Sequence, residues 1–333
     1  MKKVLLYLRL NEWMASKIVF MIGILLFFLY TNGKPVGNPM LVIVAYFLYT
    51  SMFMATSYVA NDFSDIEIDK KTGKQKVITE LPQWMIWASF AAMFLIGNVP
   101  VMLLTKHKVS CAAVIVITYY LGLAYSGLGL RFKEKGIWGL LECSLAQRCM
   151  PLLLIPFLIE MNMISRWFLV GWMIVSFLDG LRYILIHQTI DLQNDLRTGV
   201  QTYVSEKRRN FRNSIAVFLA LETGLLCVVM GSFWEKDLIG LILTAGIYFA
   251  CEYCIYQVLN VYAKKDWLVT FDSVPLEAFL NFVFPFFVGL CLCRTHSIFY
   301  LVYCLIIVFI CWEPMKIKLD LVKVFVQSKL KRG

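Results

Sequence analysis

Long apolar runs alternate with short polar breaks along the chain, and this pattern predicts a bundle of membrane-spanning helices. A bilayer core about 30 Å thick needs about 20 apolar residues per helical crossing. Segments of suitable character lie near residues 15–31, 40–60, 82–104, 110–130, 137–159, 167–190, 213–233, 238–259, 273–293 and 298–313. Because Pro275 and Pro285 interrupt the ninth segment and the tenth is short, we expect nine or ten spans.

The composition agrees with a polytopic membrane protein. Hydrophobic residues make up 60% of the 333 positions, charged residues make up 16%, and the mean hydropathy is +0.71. No polar stretch is long enough to build a separate soluble core. We therefore expect one domain over residues 1–333, with a basic tail at 314–333. The 10 cysteines fall within predicted spans, where packing is a better explanation than disulfide bonding.

The distribution of basic residues predicts the orientation in the membrane. Lys and Arg accumulate in cytoplasmic loops. With the N-terminus inside, most of the 32 basic residues lie on the cytoplasmic side. The opposite loops hold only Lys34, Lys106, Lys108, Arg166, Lys236 and Arg294. The net charge of +10 is then a topology signal that also attracts anionic lipid, and it is no sign of nucleic-acid binding.

An acidic stretch, NDFSDIEID, directly follows the second predicted span. If the helix continues past Asn61, then Asp62, Asp65 and Asp69 recur at i, i+3 and i+7 and share one face. Carboxylate and amide oxygens suit Mg²⁺, which also binds substrate phosphates. A solvated acidic loop is the alternative, and this stretch by itself does not decide between the two.

A second acidic cluster, DLQNDLRTGVQT, follows the sixth predicted span on the same expected side. Asp191, Asn194 and Asp195 lie at i, i+3 and i+4 and again share one helical face. Two such faces around one cavity are suited to holding two or more Mg²⁺ ions and neutralising a diphosphate. Basic residues flank both clusters: Lys70, Lys71, Lys74 and Lys76, then Arg197, Lys207, Arg208 and Arg209.

These motifs resemble those of the UbiA superfamily of intramembrane prenyltransferases. The first reads N-D-x-x-D-x-x-x-D and the second D-x-x-x-D-x-x-x-G, four spans later. Four further stretches are similar to the family: RLNEWMASK at Arg9–Lys17, TGK at Thr72–Lys74, YSGLGLRFK at Tyr125–Lys133 and HQTIDLQND at His187–Asp195. The resemblance covers residues 9–202 in motifs and the rest in hydropathy.

The resemblance implies an all-α bundle of about nine transmembrane helices around a central cavity that opens to lipid. Family members bind an isoprenyl diphosphate through Mg²⁺, ionise its C–O bond and let a lipophilic acceptor attack. Carried over by position, the metal ligands are Asn61, Asp62, Asp65, Asp69, Asp191 and Asp195. Of these, Asp62, Asp65, Asp191 and Asp195 are the expected catalytic residues. The expected substrate contacts are Asn11, Lys74, Tyr125, Arg131, Lys133, His187 and Arg197. The implied location is the inner membrane of a bacterium, with the site facing the cytoplasm.

Polar residues inside the spans are costly and often functional. They are Glu142, Gln147, Arg148, Asp179, Arg182, Glu252 and Tyr256. Asp179 and Arg182 are three residues apart and are placed to pair with each other. We expect structural pairing for each residue taken singly, and substrate contact for at least one of them.

Three functions are compatible with these observations. The first is transfer of a prenyl group to an acceptor. The second uses the same fold either to cyclise the prenyl chain or to transfer a phosphosugar to a polyprenyl phosphate. The third is a transporter or an inactive scaffold. Two intact aspartate motifs argue against a scaffold, and the lack of paired broken helices with inverted symmetry argues against a secondary transporter.

Overall fold

The computed structural model describes residues 2–31, 34–71, 76–127, 129–207, 211–231, 237–263 and 275–330. Its ten long helices are α1 (Leu10–Thr31), α2 (Pro39–Ser64), α3 (Gln83–Leu104), α4 (Lys108–Ala124), α5 (Ile137–Leu158), α6 (Met163–Thr198), α7 (Arg212–Met230), α8 (Leu238–Ala263), α9 (Leu276–Thr295) and α10 (Leu301–Leu330). Shorter helical pieces are Lys2–Tyr7, Ile66–Lys71, Val77–Glu80, Phe132–Glu134, Tyr203–Lys207 and Ile298–Tyr300. The described residues also form one short antiparallel ribbon between β1 (Lys34–Pro35) and β2 (Ile159–Glu160).

The helices coincide with the predicted spans and confirm the helical membrane fold. Seven helices of the described chain, α1, α2, α3, α5, α6, α7 and α9, are long and apolar enough to cross a membrane. Three shorter apolar stretches, Lys108–Ala124, Leu238–Tyr253 and Ile298–Glu313, lie in the remaining predicted spans. The expected count of nine is therefore not confirmed. The tenth helix continues through the predicted tail as far as Leu330.

Local sequence explains where the two helices that carry the aspartate motifs begin. Before α2, the Asn38 side chain accepts a hydrogen bond from the Met40 amide at 2.8 Å, and Pro39 supplies the fixed φ of a first helical residue. Before α6, the Asn162 side chain accepts from the Ser165 amide at 2.8 Å. Both helices therefore start at a side-chain cap and carry their motifs at the opposite end.

The core of the bundle surrounds α1, whose residues 19–31 are all buried. Its Phe27 ring lies 5.5 Å from the ring of Trp172 in α6, which in turn lies 5.1 Å from Phe284 in α9. A small residue lets α1 and α9 approach closely, since a Cβ atom at Gly23 would lie 2.6 Å from Cγ of Pro285. The first helix is thus the centre of packing.

In the described part of the chain, three single turns of π-helix interrupt the long helices, at Met14–Ile18 in α1, Leu145–Cys149 in α5 and Phe279–Val283 in α9. Such turns re-aim side chains and occur often at functional sites. Two of them contact each other directly, because Lys17 donates a hydrogen bond to the Gln147 side chain and Arg148 donates to the Ser16 carbonyl at 2.9 Å. The irregular turns therefore bring polar side chains together inside the bundle.

The close approach at Gly23 predicts a stability effect. In Gly23→Ala the added methyl group forces α1 away from Pro285, and we expect a loss of about 1–3 kcal/mol, measured as a lower Tm in detergent. The control is Gly246→Ala in α8, where no atom lies within 4 Å of the added Cβ. Because Ala favours a helix over Gly, the control should keep or slightly raise Tm. Equal Tm values for the two variants would contradict this packing.

Candidate functional site

The first aspartate motif lies where α2 ends, and the helix is interrupted there. The condition that the helix continues past Asn61 holds only as far as Ser64, because Asp65 has φ −103° and ψ 5°. A new helix, Ile66–Lys71, then begins. Backbone hydrogen bonds from Asp65 to Asn61, 3.1 Å, and from Asp69 to Asp65, 2.8 Å, carry the chain through the break. These bonds keep the i to i+4 spacing of Asn61, Asp65 and Asp69 across the break.

Basic side chains from separate parts of the chain surround this cluster. Asp62 accepts from Arg9 at 2.9 Å and from Lys76 at 2.7 Å. The Lys76 ammonium also lies 2.6 Å from the Asp69 carboxylate, and both Asp62 and Asp69 are buried. Because a charged carboxylate is costly to bury unless it is paired, these contacts explain how the motif is held away from solvent.

The loop after α4 supplies the other two cations. The Lys133 ammonium lies 2.5 Å from the Asp65 carboxylate and 3.3 Å from the Asn61 amide oxygen. The Arg131 guanidinium lies 3.5 Å from Asp65. Arg131 itself has a left-handed backbone, with φ 43°, and its side chain also pairs with Glu134 at 2.5 Å.

The same loop is tied to the motif by neutral groups. Ser126 donates to the Asn61 side chain at 2.6 Å, and the Lys133 amide donates to the Tyr125 carbonyl at 3.0 Å. Tyr125, an expected substrate contact, thus begins the turn that returns Lys133 to the motif. The loop orients the Asn61 amide oxygen through two donors.

Burial and charge act in opposite directions on the two lysines of this site. Burial lowers the pKa of Lys133, and its hydrogen bond to Asp65 opposes that effect only in part. Burial also acts to lower the pKa of Lys76, but its bonds to Asp62 and Asp69 outweigh burial and raise it. Of the two lysines, Lys76 is therefore the one whose positive charge the motif carboxylates stabilise more.

The second motif lies on the last two turns of α6, on one continuous helix as predicted. His187 Nδ1 lies 3.0 Å from Asp191 Oδ2, one turn later. The Asp195 side chain accepts from the Thr202 hydroxyl at 3.0 Å. The motif glycine, Gly199, has φ 74° and ends the helix, a conformation that glycine adopts without strain. Arg197 is exposed on the last turn.

A chain of contacts places both motifs at the same end of the bundle. Lys133 contacts Asp65, and three residues later Gly136 forms a β-bridge with Thr202, whose hydroxyl binds Asp195. Glu206, after Thr202, lies against Gly136 as well, because a Cβ there would be 2.7 Å from the Glu206 carboxylate. The loop after α4 therefore joins the surroundings of the two motifs.

Two of the expected substrate contacts, Asn11 and Lys74, are not found at the first motif. Asn11 is exposed, and its side chain makes no hydrogen bond to another described residue. Arg9, two residues earlier, contacts the motif instead. Lys74 lies outside the described residues. In the sequence, Arg9 is only part of a stretch similar to the family, and Lys76 is only one of four lysines after the first motif. The spacing of residues along the chain does not show which basic side chain contacts the motif carboxylates.

The donor atoms fit Mg²⁺, although they do not form a closed cage. Among the described residues, no group of three or more His, Cys, Asp and Glu side chains is placed to hold a metal ion alone. Mg²⁺ does not require such a group, because it commonly takes one or two carboxylates and completes its shell with water and substrate phosphates. Each motif contains at least two aspartates, which is enough carboxylates for such a Mg²⁺ site.

Comparisons with known proteins agree with this geometry. The chain matches the UbiA prenyltransferase family over residues 18–281. Two structures of a UbiA homolog from Archaeoglobus fulgidus, bound to GPP and Mg²⁺ or to DMAPP and Mg²⁺, have similar folds, with TM-scores of 0.58 and 0.59. Each is 15% identical to this chain, and each alignment covers 86% of this chain. It covers 99% of the chain bound to GPP and 98% of the chain bound to DMAPP. A comparison with curated protein sequences found no match.

The two solved structures support the fold, since their identity to this chain is too low to support more. The family match extends over most of the chain and includes both aspartate motifs. It confirms the resemblance inferred from those motifs. The protein belongs to the UbiA prenyltransferase family.

Proposed function

We propose that this protein is a Mg²⁺-dependent intramembrane prenyltransferase that ionises an isoprenyl diphosphate and transfers the prenyl group to an acceptor. The observation that supports it most is the convergence of Arg9, Lys76, Arg131 and Lys133 on the first motif. A solvated acidic loop has no reason to collect cations from three separate segments. A diphosphate site needs both carboxylates for metal and cations for phosphate.

The residues divide into two roles. Asn61, Asp62, Asp65 and Asp69 would hold Mg²⁺ on one side, and Asp191 and Asp195 would hold it on the other. When bound, Mg²⁺ supplies positive charge that stabilises a departing diphosphate. Lys76 and Lys133 already contact the motif carboxylates, so their ammonium groups need to move little to reach phosphate oxygens.

The reaction balances without another cofactor. The bond between the prenyl C1 atom and the diphosphate oxygen breaks, and its electron pair leaves with the diphosphate. The acceptor then forms a bond to C1, and the proton it loses passes to the released diphosphate. The apolar interior of the bundle would protect the allylic cation from water. His187 would orient Asp191 through their hydrogen bond.

The same proposal includes the orientation and location. Both motifs lie at one end of the bundle, and basic residues follow each motif in the sequence. By the positive-inside rule the site then faces the cytoplasm. The family and the apolar helices indicate an integral membrane protein, and we propose the inner membrane of a bacterium.

The proposal is tested with purified protein in nanodiscs, incubated with Mg²⁺, labelled prenyl diphosphates of several lengths and extracts that contain acceptors. We expect Mg²⁺-dependent consumption of the diphosphate and a lipid-soluble labelled product that requires the extract. A product formed without extract would indicate cyclisation. No consumption of any diphosphate would overturn the proposal.

Removal of a motif carboxylate should abolish turnover. In Asp62→Asn and in Asp195→Asn we expect diphosphate consumption to fall at least about 100-fold, because charge stabilisation of the leaving group is lost. The control is Glu67→Gln, a change of an exposed carboxylate within the first acidic stretch. The control should retain turnover. Normal turnover in Asp62→Asn would remove the first motif from the reaction.

Loss of one cation should act mainly on diphosphate binding. In Lys76→Met we expect KM for the diphosphate to rise about 10-fold or more, because a charge-assisted hydrogen bond is lost. Lys70→Met, an exposed lysine in the same region, is the matched control and should change KM less than about twofold. Equal effects of the two substitutions would show that only the overall charge of this region matters.

A further inference from the structure

A groove lies between α3 and α4, next to the turn that joins these two helices. Because α3 begins after the first motif and ends at Leu104, this turn is at the end of the bundle opposite the motifs. The volume of the groove is about 380 Å³, within the range of about 300–1,000 Å³ that ligand sites have. Two stripes at i, i+4 and i+8 form much of its lining: Phe94, Asn98 and Met102 on α3, and Lys108, Ala112 and Val116 on α4.

Both helices of the groove pack closely on α2, and this arrangement leaves space between them. A Cβ atom at Gly97 of α3 would lie 2.9 Å from Cβ of Met52, and a Cβ atom at Gly122 of α4 would lie 2.8 Å from the Phe53 ring. Small residues of this kind allow helices to approach each other closely in a membrane. On α4, the short side chain of Ala112 keeps the groove open.

The interior of the groove is apolar. Asn98 is buried and lines the groove, and its Nδ2 atom donates to the Phe94 carbonyl of the same helix at 2.7 Å. The Phe94 ring packs edge-on against the ring of Tyr119, 5.1 Å away, and Ile115 is also buried. Such walls suit a hydrocarbon occupant, which gains from burial without needing polar partners.

The length of the groove matches half of a bilayer. At about 1.5 Å per residue, the lining from Phe94 to Leu103 extends about 14 Å along α3. The hydrocarbon core of a bilayer is about 30 Å thick, so one leaflet contributes about 15 Å. The groove therefore has the length of one lipid chain that enters from a single leaflet.

A positive charge lies at the outer end of the groove. The Lys108 ammonium donates to the Met102 carbonyl, in the last turn of α3, at 2.6 Å. An ammonium group has three N–H donors, so Lys108 can bind a further acceptor at the same time. Lys108 makes no ion pair with the residues that the structure describes, whereas nearby Lys106 pairs with Glu160 at 2.9 Å.

The charges deep inside the bundle differ from Lys108, because they pair with one another. Arg182 lies 2.7 Å from Asp179 and 2.8 Å from Glu222, which confirms the expected pairing of Asp179 with Arg182. Arg148 lies 3.2 Å from Asp179. These contacts account for the buried charges as a structural network. Lys108 is instead placed to meet a negative charge from outside the chain.

We infer that the groove between α3 and α4 binds one chain of an anionic phospholipid, from the leaflet opposite the aspartate motifs, with the lipid phosphate at Lys108. The chain would fill the apolar space, and the ammonium would donate to a phosphate oxygen. A basic side chain attracts an anionic headgroup, so such a lipid is favoured over a zwitterionic one with the same chains. This inference does not depend on the proposed prenyl transfer.

Photolabelling locates the lipid. The protein is placed in nanodiscs that contain phosphatidylglycerol with a diazirine on one acyl chain, irradiated, and mapped by mass spectrometry. We expect label within 94–103 of α3 and 108–116 of α4. Unlabelled phosphatidylglycerol should compete about fivefold better than phosphatidylcholine with the same chains. Label spread evenly over the lipid-facing helices would overturn the inference.

A matched pair of variants tests the groove itself. Ala112→Phe places a ring inside the groove, and we expect the labelling of α3 and α4 to be lost. Ala113→Phe adds the same ring at an exposed position beside it and should keep the labelling. Ala112→Leu is a smaller change that should lower the labelling in part, and it replaces Ala112→Phe if that variant does not fold. Equal labelling of the variants at Ala112 and Ala113 would contradict the inference.

Substitution of the lysine tests the headgroup. In Lys108→Met we expect the preference for phosphatidylglycerol over phosphatidylcholine to fall from about fivefold to none. Lys108→Arg should keep the preference, because the charge remains. Arg166→Met removes a positive charge at the same end of the bundle but outside the groove, and it should keep the preference as well. An unchanged preference in Lys108→Met would refute the anionic headgroup.

A stability measurement separates lipid binding from a structural role of Lys108. A ligand that binds the folded protein stabilises it, so phosphatidylglycerol should raise the Tm of the unchanged protein more than that of Lys108→Met. If Lys108 only caps α3 through the Met102 carbonyl, Lys108→Met should lower Tm equally in phosphatidylglycerol and in phosphatidylcholine. Equal losses in the two lipids would overturn the inference.

Discussion

The ion pairs around Asp62, Asp65 and Asp69 are the constraint on which the site depends. Buried carboxylates need partners, and here those partners come from before α1, from the segment after the first motif and from the loop after α4. Each pair ties one of these segments to the end of α2. Charge compensation thus joins these segments at one end of the bundle and also provides the groups that a diphosphate would contact.

Interruptions of regular helix place the polar groups of this bundle. Asp65, where α2 ends, contacts Lys133, and Lys17 in the π-helical turn of α1 contacts Gln147 in that of α5. In a membrane such irregular backbone is tolerated where neighbouring helices satisfy it. Around these points the packing of α1 against Trp172 and Pro285 is dense, so the polar positions are held by a rigid apolar frame.

Much of the fold could be predicted because the thickness of the bilayer sets the number of apolar residues in each membrane-spanning helix, and such segments are visible in the sequence. The second motif was also predictable, since Asp191 and Asp195 lie on an unbroken helix where spacing determines the face. The geometry of the first motif was less predictable from spacing, because the helix that carries it ends at Asp65. Among the basic residues, Lys133 was expected at the site, whereas Arg9 and Lys76 were recognised only from their contacts.

The sequence by itself determined the class of protein, the order of the helices, the two aspartate motifs and the family. These properties follow from local hydropathy and from short spacings that a helix translates directly into a face. Only the tertiary structure decided which charges meet. The contacts between Arg9 and Asp62 and between Arg148 and Asp179 join residues far apart in the chain. Such pairing depends on how the helices pack, and it cannot be inferred from the residues that neighbour each charge in the sequence.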